Sequence, residues 1–197
     1  MPKQRWPAPE RNKVPIADVL SRFLPQTGAV LELSSGTGQH ILYFAERFSE
    51  LYWIPSDIDP INLESIEAYR SEAGLLNIQR PFLLDVTSPQ WPVHKVEAVF
   101  CANMIHIAPF SCTLGLLDGV ARVLLPNGLF FLYGPFMVDG QHTAPSNHAF
   151  DGDLRQRNPE WGVRDQQEVI RLADERGLKL QEIVEMPANN RILVFRA

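Results

Sequence analysis

The chain lacks the marks of several common protein classes. Its 197 residues hold only two cysteines, Cys101 and Cys112. That is too few for a disulfide framework, and a reducing cytoplasm is the simplest assignment. No apolar run approaches the length a bilayer requires, so no membrane association is expected. The first residues carry Lys3, Arg5 and several prolines but no apolar stretch of the kind that opens a secretory signal. An excess of basic residues is missing too. The formal net charge is −5, which argues against a general nucleic-acid groove. No internal repeat or second domain boundary is visible, and nothing fixes the oligomeric state. With 45% hydrophobic and 21% charged residues, the composition is that of an ordinary globular protein. Residues 1–197 are expected to form a single domain with length enough for a core.

What is present is concentrated in one turn. Val30-Leu-Glu-Leu-Ser-Ser-Gly-Thr-Gly-Gln39 joins an apolar run carrying an acid to two glycines. An apolar-periodic segment follows (Ile41, Leu42, Phe44, Ala45, Phe48). This reads as strand, glycine turn and helix, and in an open α/β sheet such a turn holds a nucleotide-like cofactor. A dinucleotide would set its pyrophosphate on the helix N-terminus, where Glu32 would repel it. S-adenosylmethionine brings a sulfonium and an ammonium, and both favour a nearby acid. The third glycine of a G-x-G-x-x-G fingerprint is absent, because Ile41 stands in its place. Leu51–Ser56 reads as a second strand with Asp57 at its end, roughly 20 residues past the glycines, where an acid accepts from ribose hydroxyls. Asp59 is the second acid of that turn and suits a helix cap.

The remaining elements follow in alternation. Residues 2–14 read as an extended, proline-rich arm, with the arm as a whole covering residues 1–15. Pro15 suits the first turn of a helix from Ile16 to about Leu24. Strands are expected at Ala29–Leu33, Leu51–Ser56, Gln79–Leu84, Val96–Ala102 and Leu129–Tyr133. A closing pair is expected at Lys179–Met186 and Ile192–Phe195. Helices are expected at Gln39–Phe48, Asn62–Ala73, Cys112–Leu124 and Asp165–Arg176. Strands alternating with helices imply a mainly parallel sheet, and the closing hairpin implies one antiparallel strand. Residues 134–164 read as a lid-like loop of about 30 residues, well beyond the usual 4–6, anchored by Tyr133, Phe136, Phe150 and Trp161.

This order resembles the class I S-adenosylmethionine-dependent methyltransferase fold, a three-layer, Rossmann-like α/β sheet of seven strands, mainly parallel, with the last antiparallel. The acid-x-Gly-x-Gly-x-Gly loop of that family stands here as Glu32-Leu-Ser34-Ser-Gly36-Thr-Gly38, with Ser34 in place of the first glycine. Six stretches together look like one branch of it: Arg11-Asn-Lys, Ser35-Gly-Thr-Gly-Gln-His40, Pro55-Ser-Asp-Ile-Asp59, Asn103-Met-Ile-His-Ile-Ala-Pro109, His142-Thr-Ala-Pro-Ser-Asn147 and Met186-Pro-Ala-Asn-Asn190. That branch is the methyltransferase-like 26 type, a family described as a domain of unknown function, which implies no particular substrate.

The resemblance implies that Asp85 accepts from the adenine amino group, a role that stands beside simple turn formation at Thr87-Ser88-Pro89. It puts Asn103 and Met104 at the methyl-bearing end of the cofactor. It is also the reason to consider Arg11 and Asn12, with Arg11 placed to meet the cofactor's carboxylate. Asn103-Met104-Ile105-His106 lacks the Asn/Asp-Pro-Pro-aromatic motif often carried by the family's enzymes that methylate amino groups of DNA and some proteins. His106 reads either as a general base at the cleft or as a histidine hydrogen-bonded beside it. Tyr133, His142, Asn147, Arg164, Asn189 and Asn190 are the expected substrate-side residues. His142, His148 and Asp151 match no metal-ligand spacing, and no metal is expected. The leading expectation is a methyltransferase acting on a small molecule. A non-catalytic binding module of the same fold stands beside it. A nicotinamide-dependent oxidoreductase is disfavoured by Glu32 and by the missing glycine.

Overall fold

A computed structural model describes residues 3–197. Met1 and Pro2 of the expected arm lie outside the described residues. The chain opens with α1 (Pro7–Phe23), followed by β1 (Gly28–Leu33), α2 (Gln39–Arg47), β2 (Leu51–Asp57) and α3 (Pro60–Ala73). Next come β3 (Phe82–Leu83), β4 (Val96–Ala102), α4 (Phe110–Val123) and β5 (Leu124–Gly134). Strands β6 (Phe136–Val138) and β7 (Gln141–His142), helix α5 (Pro145–Arg157) and strand β8 (Arg164–Asp165) form an insert. The chain closes with α6 (Gln166–Asp174), β9 (Lys179–Met186) and β10 (Asn190–Arg196).

The main sheet has seven strands in the order β3-β2-β1-β4-β5-β10-β9. Pairs β1–β2, β1–β4, β2–β3 and β4–β5 are parallel, whereas β10 runs antiparallel to both β5 and β9. The expected fold class, a mainly parallel Rossmann-like sheet with the last strand reversed, is the one observed. Strands such as β4 are apolar on both faces because helices cover both faces. Ile16 and Leu20 of α1, Phe44 of α2 and Ile66 of α3 pack on one side. Leu116, Leu117 and Val120 of α4 and Val169 of α6 pack on the other. All parallel strands therefore end at one edge, and the turns leaving them converge there.

Three expectations change. The arm is helical from Pro7, with Trp6 at the N-cap. Proline in a first turn removes no helical hydrogen bond, since those N–H groups have no intrahelical partner, and Pro15 lies inside the helix rather than at its start. The third strand shrinks to Phe82–Leu83, with a single bridge between Ile78 and Trp53 before it. The long loop is structured: β6 pairs with β7 and β8 in a small sheet, and α5 runs for 13 residues. Helix α5 escapes a hydrophobic-period reading because its buried positions are Asn147, Asp151 and Leu154, a helical stripe in which two of three members are polar.

Gly38 joins the layers. Its φ is +93°, and a Cβ there would lie 3.0 Å from the Ile66 Cα of α3. Gly38→Ala combines left-handed strain with a backbone clash and is expected to destabilise the fold by about 2–3 kcal/mol. The check is urea unfolding; a loss below about 0.5 kcal/mol would contradict this packing.

Candidate functional site

The glycine turn leaving β1 alternates its backbone. Ser34, Gly36 and Gly38 have φ of +53°, +57° and +93°, so all three positions of the acid-x-Gly-x-Gly-x-Gly pattern are left-handed. Ser34 keeps the turn at the strain a side chain carries in that region, of order 1–3 kcal/mol. The turn is tied to the end of β2. Ser35 N donates to Ser56 O (2.9 Å), and Ser56 Oγ donates to Glu32 O (2.9 Å). Gly36 N donates to Asp57 Oδ2 at 2.8 Å. Asp57 Oδ1 accepts from Asp59 N (2.9 Å) and from Asn62 Nδ2 (3.2 Å). A carboxylate offers about four acceptor positions, so Asp57 retains one. Asp59 plays the capping part, accepting from Ile61 N at 2.9 Å.

Glu32 lies under the turn, 1% exposed, and its Oε2 finds no partner among the described residues. Burial pushes its carboxyl up to about 8, Ser35 pulls it back, and the charge of Asp57 adds to the rise. At neutral pH the group is therefore mostly a buried, neutral acid. An unsatisfied buried oxygen of this kind fits a donor arriving from outside, such as an ammonium.

At the ends of β3, β4 and β5 the expected residues divide. Asp85 is exposed and forms the turn considered for it, its Oδ1 accepting from Thr87 N and Oγ1 at 2.8 Å each. Asn103 is left-handed (φ +62°) and starts a 3-10 turn over Met104–His106; its N–H donates to Tyr133 O at 2.8 Å. Met104 is buried in the core. His106 is fully buried, its Nδ1 accepting from Arg164 N at 3.3 Å, and its Nε2 faces Gly134 without a hydrogen-bond partner among the described residues. Burial, helped by the Arg164 charge, pushes His106 down to about 3.

The substrate-side residues turn out to be largely engaged with protein. Arg164 donates from Nε to Ile105 O (2.9 Å) and from Nη2 to Ala108 O (2.7 Å) and Glu160 O (2.9 Å). Its guanidinium is a clamp, not an open cation. Asn147 Nδ2 donates to Thr143 Oγ1 and Asn189 O, and Asn189 Nδ2 to Ser146 Oγ. Asn190 Nδ2 donates to Pro187 O and Ala188 O. His142 faces Asp151 at 3.6 Å, and Asp151 also accepts from Arg155 and from Val163 N. No cluster able to hold a metal ion occurs among the described residues.

The N-terminal residues come to the same edge. Asn12 Oδ1 meets His40 Nε2 at 2.7 Å, and burial raises the pKa of the nearby Tyr133. Arg11 is exposed. Sequence reasoning passed over Gln39, which is 4% exposed in the first turn of α2 and makes hydrogen bonds to Trp6, Glu10 and Thr37. The available signal was the polar pair Gln39-His40 directly preceding the apolar residues of that helix.

A family model described as "Protein of unknown function (DUF938)" matches residues 3–197. Among solved structures, an O-methyltransferase family protein from Burkholderia thailandensis superposes with a TM-score of 0.80 at 15% identity, over 93% of this chain and 55% of that one. An O-methyltransferase family 2 protein from Planctomyces limnophilus, in complex with apigenin, gives 0.81 at 14% identity over 96% and 58%. CalO1, a methyltransferase in calicheamicin biosynthesis in its SAH-bound form, gives 0.75 at 16% identity over 95% and 53%. The chain thus spans little more than half the length of these structures, and the likeness establishes the methyltransferase fold.

The state of Glu32 has a measurable consequence. The native chain keeps a proton from about 4.5, the ordinary value, up to about 8 that the unfolded chain has released. Stability from this group is complete below that window and is lost as pH rises through it, at most about 1.4 kcal/mol per pH unit. Glu32→Gln removes the titration, so its melting temperature should gain on the parent between pH 5 and pH 8. A difference that stays constant with pH would show that Glu32 titrates normally.

Proposed function

The chain belongs to the DUF938 family, and we propose that it is an S-adenosylmethionine-dependent methyltransferase acting on a small molecule. The observation that carries this reading is the junction of Gly36 N–H with the Asp57 carboxylate, set beside the unpartnered acid Glu32. The O-methyltransferase names of the superposing structures support it at the level of reaction class, as does the motif set shared with the methyltransferase-like 26 type.

S-adenosylmethionine supplies a methyl group already activated on a sulfonium. The Gly36 and Gly38 turn and Glu32 would hold its methionine part, with Ser34 in the floor and Arg11 and Asn12 approaching from α1. Asp57 would use its remaining acceptor position on the ribose, and Asp85 its free oxygen on the adenine. Asn103 and Met104 would border the methyl-bearing end. Tyr133, His142 and the insert would form the acceptor side, with Arg164, Asn147, Asn189 and Asn190 fixing its walls. Alignment at about 3–3.5 Å of a nucleophile with an activated methyl supplies much of the rate without a strong base. Ile41 in the place of the third fingerprint glycine disfavours the nicotinamide alternative.

His106 is a positioning residue in this scheme. With Nδ1 accepting from Arg164 N, its proton sits on Nε2, and a pKa near 3 makes it a weak base at neutral pH. His106→Ala is expected to destabilise the fold by about 2–4 kcal/mol, read by urea unfolding. Unchanged stability would return His106 to the list of candidate bases.

Calorimetry and thermal shift with S-adenosylhomocysteine and NAD test the cofactor. S-adenosylhomocysteine should bind and raise the melting temperature, whereas NAD should do neither. Asp57→Ala should weaken S-adenosylhomocysteine by about 1.5–3 kcal/mol. No binding of S-adenosylhomocysteine at millimolar concentration would overturn the proposed function.

A further inference from the structure

Trp6 is 45% exposed, yet it is held with unusual care. Its N–H donates to Gln39 Oε1 at 2.7 Å, and its carbonyl accepts from Gln39 Nε2 at 3.2 Å. A single side-chain amide therefore grips both backbone groups of one residue, as a neighbouring strand would. Gln39 is itself fixed, accepting from Thr37 Oγ1 and donating to Glu10 Oε1 at 2.8 Å each. The Gln39 bond, followed by those from Lys13, holds the Glu10 carboxyl down to about 2, so this anchor stays charged at any physiological pH. Two residues earlier, Gln4 N donates to Ser65 Oγ (2.8 Å) and Gln4 O accepts from Tyr69 OH (3.1 Å). Ser65 Oγ in turn donates to Thr37 O at 2.8 Å. The segment before α1 is thus a strap fastened across α3 and the first turn of α2.

The strap delivers the indole to one place. A Cβ on Gly36 would stand 3.2 Å from Trp6 Cζ3, 3.8 Å from Cε3 and 3.9 Å from Cη2. Gly36 is the residue whose N–H the Asp57 carboxylate accepts. One part of the ring lies against that turn, and the rest remains open. Stability alone does not call for this arrangement, since an aromatic ring placed for packing would bury its area. A fixed indole with open surface is suited to stack on a flat heteroaromatic ring or to face a cation. A nucleoside sulfonium offers both.

Resting on the proposed cofactor reading, we propose that Trp6 is a wall of the cofactor cleft, packing its indole on the cofactor above Gly36, where the methionine part meets the ribose, and that Gln39 positions it. The test uses the full chain, S-adenosylhomocysteine as probe, calorimetry and tryptophan emission. Trp6→Ala should weaken binding about tenfold or more, the usual range for losing an aromatic platform under a base. Trp6→Phe should keep affinity within about threefold, while most of the ligand-induced change in emission disappears. Gln39→Ala should weaken binding and diminish that emission change, because the ring is no longer held at Gly36. A parent chain that does not bind S-adenosylhomocysteine removes the proposed function and this inference together. If the parent binds, but Trp6→Ala binds equally well and Trp6→Phe keeps the full emission change, the inference fails alone and the cofactor reading stands.

Discussion

The Asp57 carboxylate gathers the site into one body. It accepts from Gly36 N on the turn after β1, from Asp59 N at the start of α3, and from Asn62 within that helix. Two strand ends and a helix thereby share one anion, and hydrogen bonds to a charged acceptor are each stronger than neutral ones. The left-handed residues Ser34 and Gly36 would otherwise have other conformations open to them. Fixed to Asp57, they present a defined concave backbone, and the Gln39 grip on Trp6 has a firm base one turn further on. The order of dependence runs from Asp57 to the glycine turn, from the turn to Gln39, and from Gln39 to the strap.

Unpartnered buried atoms fall on both sides of this body, and their chemistry differs. Glu32 Oε2 is an acceptor beside the turn, neutral through burial, and able to become an anion when a cation arrives. His106 Nε2 is directed at Gly134, where a Cβ would collide with it. The first would, in the proposed function, meet a ligand's charge. The second is fully buried and packed against backbone. In the proposed function that contrast fits charge recognition on the β1 side and shape on the β4 side.

Much of this was legible from the chain. Apolar runs gave most strands of the main sheet. The acid–glycine turn and Asp57 were picked out because strand ends leave local traces, but the bond from Gly36 N to Asp57 that joins them was not foreseen. The strap was not legible. Pro7 and Pro9 look like breakers unless one asks which helical N–H groups need partners, and the contacts of Gln39 with Trp6 and Glu10 span about 30 positions. Helix α5 was missed because its inward stripe carries Asn147 and Asp151, which make directional bonds that no hydropathy pattern records. In sequence Arg164 is one of several polar groups concentrated in the long loop; in the folded chain three carbonyls take its side-chain donors.

The two walls of the edge are therefore built differently. The cofactor side rests on a short local motif, and its geometry is fixed by backbone conformation and by Asp57. The acceptor side rests on long-range side-chain bonds: Asn147 to the closing hairpin, Asp151 to Val163, and Arg164 to the turn following β4. Hydrogen bonds of this kind contribute only about 0.5–1.5 kcal/mol each in net terms, yet they fix direction sharply. A wall assembled from them can change its contour through a few substitutions while the apolar core beneath is untouched. In this chain the Arg164 side chain itself bonds Ile105 O and Ala108 O in the turn after β4, so a substitution of it reaches the end of β4. Under the proposed function, substrate fit and the geometry at the methyl-bearing end would be linked through that one side chain.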